Sequence, residues 1–163
     1  MLQHLDAYFA AEKSESLAFL GIGLAACVIG AFVLWRVRDP LLRGFALPLL
    51  LVGIVQIGVG ATIHARTDAQ LAALKAQYLA APAEFRAQEI ERMKPVRASF
   101  VIYKSLEVGF IVIGLALAFA RRLHRFWRGL GLGMLVQGAL MLPADLLAEQ
   151  RADTYLAQLE ALP

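Results

Sequence analysis

Residues 17–35 read LAFLGIGLAACVIGAFVLW, a run of apolar and small residues without a charge. A helix needs about 20 apolar residues to cross a hydrocarbon core of roughly 30 Å. This run is long enough, and it lacks the alternation of apolar and polar residues that marks a membrane β-strand. It therefore predicts a transmembrane helix.

Three more runs of this kind follow, at about 45–63, 100–120 and 130–148. Of the 163 residues, 60% are hydrophobic and 18% are charged, whereas soluble globular chains are about 45–50% apolar and about 25% charged. These values argue against a soluble enzyme, a disordered chain and a nucleic-acid-binding protein. We predict an all-α integral membrane protein with a single domain over residues 1–163, a four-transmembrane-helix bundle built from two tandem helical hairpins.

Arginines are concentrated in the two short connections between spans, where the only acidic residue is Asp39. Because short cytoplasmic loops are enriched in Lys and Arg, we predict that both connections are cytoplasmic. Both termini and the connection 65–98 are then extracytoplasmic, and the alanine-, arginine- and leucine-rich composition suits a bacterial inner membrane. Topology alone is enough to explain these arginines, but they could also contact anionic lipid. They are Arg36, Arg38, Arg43, Arg121, Arg122, Arg125 and Arg128.

The chain resembles itself when it is shifted by 85 residues. Residues 66–76 (RTDAQLAALKA) and 151–161 (RADTYLAQLEA) are identical at six of eleven positions. The same shift places Arg43-Gly44 on Arg128-Gly129, Arg36 on Arg121, and the first hairpin on the second. A tandem repeat of this kind predicts a pseudo-two-fold axis along the membrane normal. Chance similarity between alanine- and leucine-rich helices is the alternative explanation.

The segments outside the spans carry apolar residues at helical spacing. We predict a helical hairpin over 65–98, broken at Ala81-Pro82-Ala83, and an amphipathic tail over 150–163. These short amphipathic helices could pack on one another as a small cap, or they could offer a docking surface for a partner helix. The docking candidates are Leu71, Leu74, Tyr78, Phe85, Ile90 and Met93.

Small residues recur along one side of three spans, as expected where helices pack closely in lipid. We predict that they face the interior of the bundle and that Cys27 is a packing residue. The members of these lines are Gly23, Ala26, Cys27 and Gly30, then Gly53, Gln56, Gly60 and His64, then Gly129, Gly133 and Gln137.

Ionisable residues interrupt the outer halves of the last two spans, where a charge is costly unless it is paired. We expect Lys104 to bridge Glu107 and Asp145 and so to join two helices. The alternative is an outward-facing polar pocket around Glu107 that binds a ligand or relays protons. The candidate residues for either role are Lys104, Glu107, Asp145, His64, Gln56, Tyr103 and Gln137.

No motif for metal, serine or cysteine chemistry is present, and a single cysteine forms no internal disulfide. His64 and His124 fall at opposite ends of the predicted bundle, so they cannot ligate one haem. We expect no cofactor and no metal site.

Three functions remain open. The first is a non-enzymatic membrane protein that binds a partner protein, as an accessory, assembly or protective factor. The second is a ligand-binding or transporting protein with the pocket around Glu107. The third is a lipid-acting enzyme with Asp145, Glu107 or His64 as acid–base groups. The expected partners are membrane lipid and either another protein or a second copy of the chain.

Overall fold

A computed structural model describes residues 1–162, and this part of the chain forms four long helices and no strand. They are α1 (Leu2–Arg36), α2 (Pro40–Ala80), α3 (Pro82–Phe119) and α4 (Arg125–Glu160). Each helix contains a segment that is long and apolar enough to cross a membrane. The predicted all-α, multi-pass membrane bundle is therefore confirmed.

Local sequence determines where three of the helices begin. Asp39 caps α2, because its Oδ1 accepts hydrogen bonds from the amides of Leu41 at 2.7 Å and Leu42 at 3.3 Å. His124 caps α4 in the same way, since its Nδ1 accepts from the amide of Phe126 at 3.3 Å. Ala81 is the only residue between α2 and α3, and Pro82 follows it at the first position of α3, where a missing amide hydrogen is tolerated.

The helices are arranged around a central pair. α2 and α4 pack against each other, α1 packs on α2, and α3 packs on α4. The two outer helices expose apolar side chains such as Val28 and Val112, which are 68% and 59% accessible. In a bilayer these faces meet lipid, so their exposure carries no hydrophobic penalty.

Glycine makes the central contact possible. A Cβ atom at Gly44 would lie 2.0 Å from the carbonyl oxygen of Phe126, and one at Gly129 would lie 1.9 Å from that of Leu41. Both distances are far below van der Waals contact, so any side chain would force the backbones apart. Gly129 follows Gly44 by 85 residues, and Phe126 follows Leu41 by 85, so the two contacts are related by the predicted pseudo-two-fold axis.

The contacts within each hairpin repeat in the same way. A Cβ at Gly30 would meet Ala46 and Leu50, and a Cβ at Gly114 would meet their counterparts Gly131 and Leu135. The second helices of the two hairpins correspond at an offset of 85 (131 − 46), but the first helices correspond at 84 (114 − 30). The match of Arg36 with Arg121 is therefore wrong by one residue, because the loop 120–124 is longer than the loop 37–39.

The predicted inward position of the small residues is confirmed for most of them. Cys27 is only partly buried, and its Sγ lies 3.8 Å from the carbonyl oxygen of Leu50 on α2, consistent with a packing role. His64 is also partly buried. The buried members are Gly23, Ala26, Gly30, Gly53, Gln56, Gly60, Gly129, Gly133 and Gln137.

All four helices continue beyond the apolar runs and together form a cap, which we define as residues 2–16, 64–99 and 149–160. The cap is thus not a set of separate short helices. α2 and α4 continue without interruption from their apolar runs through residues 66 and 151. Pro95 lies within α3 without ending it. The start of α1 also belongs to the cap core, because Leu5 and Phe9 are buried there beside Leu74 and Leu159.

The Gly129 contact gives a direct test of the packing. We expect Gly129→Ala to lower the free energy of unfolding by roughly 1–3 kcal/mol or more, since over-packing displaces the backbone of α2. The measurement is the apparent melting temperature in detergent. Gly58→Ala is the matched control, because a Cβ there meets nothing within 4 Å; equal melting temperatures for the two variants would contradict the packing.

Candidate functional site: the acidic cluster and the cap groove

Lys104 forms its ion pair with a residue that the sequence analysis did not consider. Its Nζ lies 2.5 Å from Oε2 of Glu149 on α4, so the expected bridge from Lys104 to Glu107 and Asp145 is not formed. Glu149 is one helical turn closer to the cap than Asp145. A lysine side chain in a membrane extends towards the polar end of its helix, and here that direction leads to Glu149.

Glu107 and Asp145 are left as neighbours on α3 and α4. Neither forms an ion pair within the part of the chain that the structure describes, and Oε2 of Glu107 is buried without a hydrogen-bond partner. We call Lys104, Glu107, Asp145 and Glu149 the acidic cluster. Three carboxyl groups face one ammonium group there, so a bound proton or cation would reduce the negative charge of the cluster.

The other polar candidates lie apart from this cluster. Gln56 is buried on the pseudo-two-fold axis, where its Nε2 lies 3.0 Å from Sδ of its counterpart Met141. His64 Nδ1 lies 3.4 Å from Ser16 Oγ on α1. Gln137 is buried, and Tyr103 is half exposed. The structure therefore does not bring His64 together with Glu107 and Asp145 as an acid–base group.

The six candidate docking residues lie inside the cap or against its core. Leu74, Phe85 and Met93 are buried in that core. Leu71, Tyr78 and Ile90 are partly buried and pack against it. These side chains hold the four helix ends together, so they do not form a free docking surface.

A buried polar group that the sequence analysis missed lies within the cap. Glu89 is 1% exposed, and its carboxylate accepts two hydrogen bonds of 2.7 Å from Arg92 and one of 2.9 Å from the Tyr155 hydroxyl. The ring of Tyr8 stacks on Tyr155 with the centroids 4.5 Å apart. Burial raises the pKa of Tyr155, and it raises the pKa of Tyr8 to about 12. In the sequence, the i, i+3 spacing of Glu89 and Arg92 was the feature that could have predicted their pairing.

A groove of about 360 Å³ runs along the cap between α1 and α4. On the opposite side α2 and α3 are joined through Ala81, and the rings of Tyr78 and Phe85 are in edge-to-face contact at 5.3 Å. α1 and α4 are not joined by the chain at this end, and a depression remains between them beside the stacked rings of Tyr8 and Tyr155. We call it the cap groove. Its lining residues are His4, Ala7, Tyr8, Leu147, Gln150, Arg151, Thr154, Tyr155 and Gln158.

Ion pairs between helices surround the part of the cap that adjoins the membrane spans. Arg151 Nη2 lies 2.6 Å from Glu15 Oε2, and Arg66 Nη2 lies 3.3 Å from Glu12 Oε1. The second carboxylate oxygen of Glu12 is buried without a hydrogen-bond partner. Burial, opposed by the nearby Arg66, raises the pKa of Glu12 above its usual range.

Residues 17–146 match the model of a family described as a family of unknown function (DUF6992). The chain belongs to this family. No curated protein and no solved structure matches it. The matched segment contains the four apolar runs almost entirely, together with Lys104, Glu107 and Asp145, whereas every residue that lines the cap groove lies outside it.

Glu12 makes the stability of the cap depend on pH. Because folding raises its pKa, ionised Glu12 destabilises the folded state at pH values above that pKa, and protonation removes this penalty as the pH falls. We expect Glu12→Gln to raise the apparent melting temperature at neutral pH. The gap to the wild type should close as the pH falls towards the ordinary range of a glutamate.

The control for this pH series is Glu91→Gln, which removes the same charge from an exposed position on the cap, where the surface ion pair with Lys94 contributes little. It should leave the melting temperature close to that of the wild type at every pH. A gap for Glu12→Gln that does not change with pH would show that the buried charge is not its cause.

Proposed function

We propose that this chain is a small non-enzymatic membrane protein that binds a partner protein through its cap. We propose with it that the protein lies in the inner membrane of a bacterium. The cap and both termini are then extracytoplasmic, and the two arginine loops are on the cytoplasmic side. The distribution of arginine supports this orientation, because the loops 37–39 and 120–124 and the helix ends beside them hold seven arginines and one acid.

The observation that carries the proposal is the cap groove. Its walls include Tyr8 and Arg151, and tyrosine and arginine are enriched at the centres of protein interfaces. The ion pair of Arg151 with Glu15 and the stacking of Tyr8 on the buried ring of Tyr155 hold these side chains in place before a partner arrives. Preorganised walls lower the entropy lost on binding.

Site-specific photo-crosslinking tests this proposal more cleanly than deletion, because removing residues 66–94 would remove the cap core. A photoreactive amino acid at Ala7 or Thr154 lies in the cap groove, and one at Ala73 or Ala87 lies on an exposed part of the cap outside it. In native membranes we expect one protein of defined mass to be crosslinked at the two groove positions and at neither control position.

Three outcomes of this experiment would contradict the proposal. One is a product with twice the mass of the chain, which would indicate self-association. Another is labelling of lipid alone. The third is the same protein product at groove and control positions, which would indicate unspecific proximity. As a control for folding, every variant that carries the photoreactive amino acid must have the melting temperature of the wild type.

A second candidate function is supported by the acidic cluster. Glu107 has a buried oxygen without a partner beside the carboxyl group of Asp145, an arrangement in which a bound proton or cation would balance the charge. The chain would then bind an ion or a small cationic ligand in the outer half of the apolar run 100–120 of α3, or carry it across the membrane.

Thermal stability in a series of monovalent and divalent cations tests this candidate. A cation that binds the folded state raises the melting temperature by mass action, and we expect Glu107→Gln to abolish that increase. Glu84→Gln on the exposed cap is the control and should keep it. A cation effect of the same size in all three proteins, or none in the wild type, would remove Glu107 from a cation site.

A further inference from the structure

A second groove, of about 530 Å³, lies at the opposite end of the bundle from the cap. It is formed by the end of α1, the loop 37–39, and the first turns of α2 and α4. We call it the loop groove. Its lining residues are Leu34, Arg38, Pro40, Arg43, Leu47, His124, Phe126 and Trp127.

The positive charge of the loop groove is not neutralised by the protein. Asp39, the only acidic residue in the two loops, is already engaged, because it caps α2 and its Oδ2 accepts from Arg125 at 2.9 Å. Arg43 donates only to the carbonyl oxygen of Leu34, at 3.4 Å. Among residues 1–162, neither Arg38 nor Arg43 forms an ion pair with a carboxylate. Both guanidinium groups can therefore bind an external anion.

Apart from His124, the remaining walls of the groove are apolar, and their place at the ends of the membrane spans puts them at the expected level of the membrane surface. Trp127 is half exposed in the groove wall, and tryptophan is enriched where a helix leaves the hydrocarbon region. Leu47 lies within the apolar run of α2, and Phe126 lies in the first turn of α4, just before its apolar run. A ligand that satisfies both kinds of wall has an anionic group beside an aliphatic chain.

We propose that the loop groove binds an anionic phospholipid, with its phosphate against Arg38 and Arg43 and an acyl chain along Leu47 and Phe126. Guanidinium groups bind phosphate through charge-assisted hydrogen bonds. A soluble phosphate or an acidic peptide would leave the apolar walls unfilled, whereas a phospholipid covers them.

The internal symmetry of the bundle explains why only one such groove is expected. The counterpart of Arg43 is Arg128, which donates to the carbonyl oxygen of Ala118 at 3.3 Å, just as Arg43 does to Leu34. The counterpart of His124, however, is the acidic Asp39. The aromatic pair Phe126-Trp127 corresponds to Leu41-Leu42. At the second position no aromatic ring would line the groove, and Asp39, paired with Arg125, stands where the loop groove has His124.

Tryptophan fluorescence tests the proposal at the groove itself. The chain has two tryptophans, so Trp35→Phe leaves Trp127 as the only reporter. In vesicles of phosphatidylcholine, we expect brominated phosphatidylglycerol to quench Trp127 with at least about fivefold preference over brominated phosphatidylcholine, the size expected for one arginine near a membrane surface.

Two double variants that lose the same charge distinguish a specific lipid site from a general attraction of anionic lipid to the arginine loops. Arg38→Gln with Arg43→Gln should abolish the preference, whereas Arg122→Gln with Arg128→Gln should preserve it. Each pair loses one arginine-to-carbonyl hydrogen bond, so a loss of folding, checked by the melting temperature, should affect both alike. Equal loss in both pairs, no preference in the wild type, or relief of quenching by added inorganic phosphate would each overturn the proposal.

Discussion

Backbone contact between α2 and α4 at Gly44 and Gly129 is the constraint on which the bundle depends. Each glycine faces a carbonyl oxygen of the other helix at a distance that admits no side chain, and in lipid such close approach is a main source of helix association. With this pair at the centre, α1 and α3 can only pack on the outside, each on its own hairpin partner. Two spaces then remain open. The space between α1 and α4 in the cap is the cap groove, and the space beside the loops at the opposite end is the loop groove.

Much of this architecture could be predicted from the sequence, because a membrane leaves few alternatives for a long apolar run. The run 17–35 and its three successors predicted four helices. The lines that contain Gly30, Gly53 and Gly129 predicted which faces would be buried. The 85-residue repeat predicted the axis, although the offset of 84 for the first helices required the structure, since a difference in loop length leaves helical periodicity unchanged.

The pairing of charges could not be predicted in the same way. Asp145 and Glu149 are four residues apart and share one face of α4. Which of them pairs with Lys104 depends on how far α3 is shifted along α4, and periodicity within one helix does not encode that shift. Glu89 gave a similar difficulty, since a glutamate on an amphipathic helix is ordinarily solvated. Its burial follows from the start of α1, whose Leu5 and Phe9 complete a core that was predicted without them.

Cysteine crosslinking tests most directly whether α2 and α4 meet on a pseudo-two-fold axis while α1 and α3 lie outside. Gln56 and Met141, whose side chains touch across that axis, can be replaced by cysteines in a Cys27→Ser background and joined with a short bifunctional thiol reagent. After cleavage at a protease site inserted at Ala81, the two halves should stay linked. With a cysteine pair at Phe32 and Val112 on α1 and α3, the two halves should separate. Linkage through positions 32 and 112, or no linkage through 56 and 141, would contradict this arrangement of the helices.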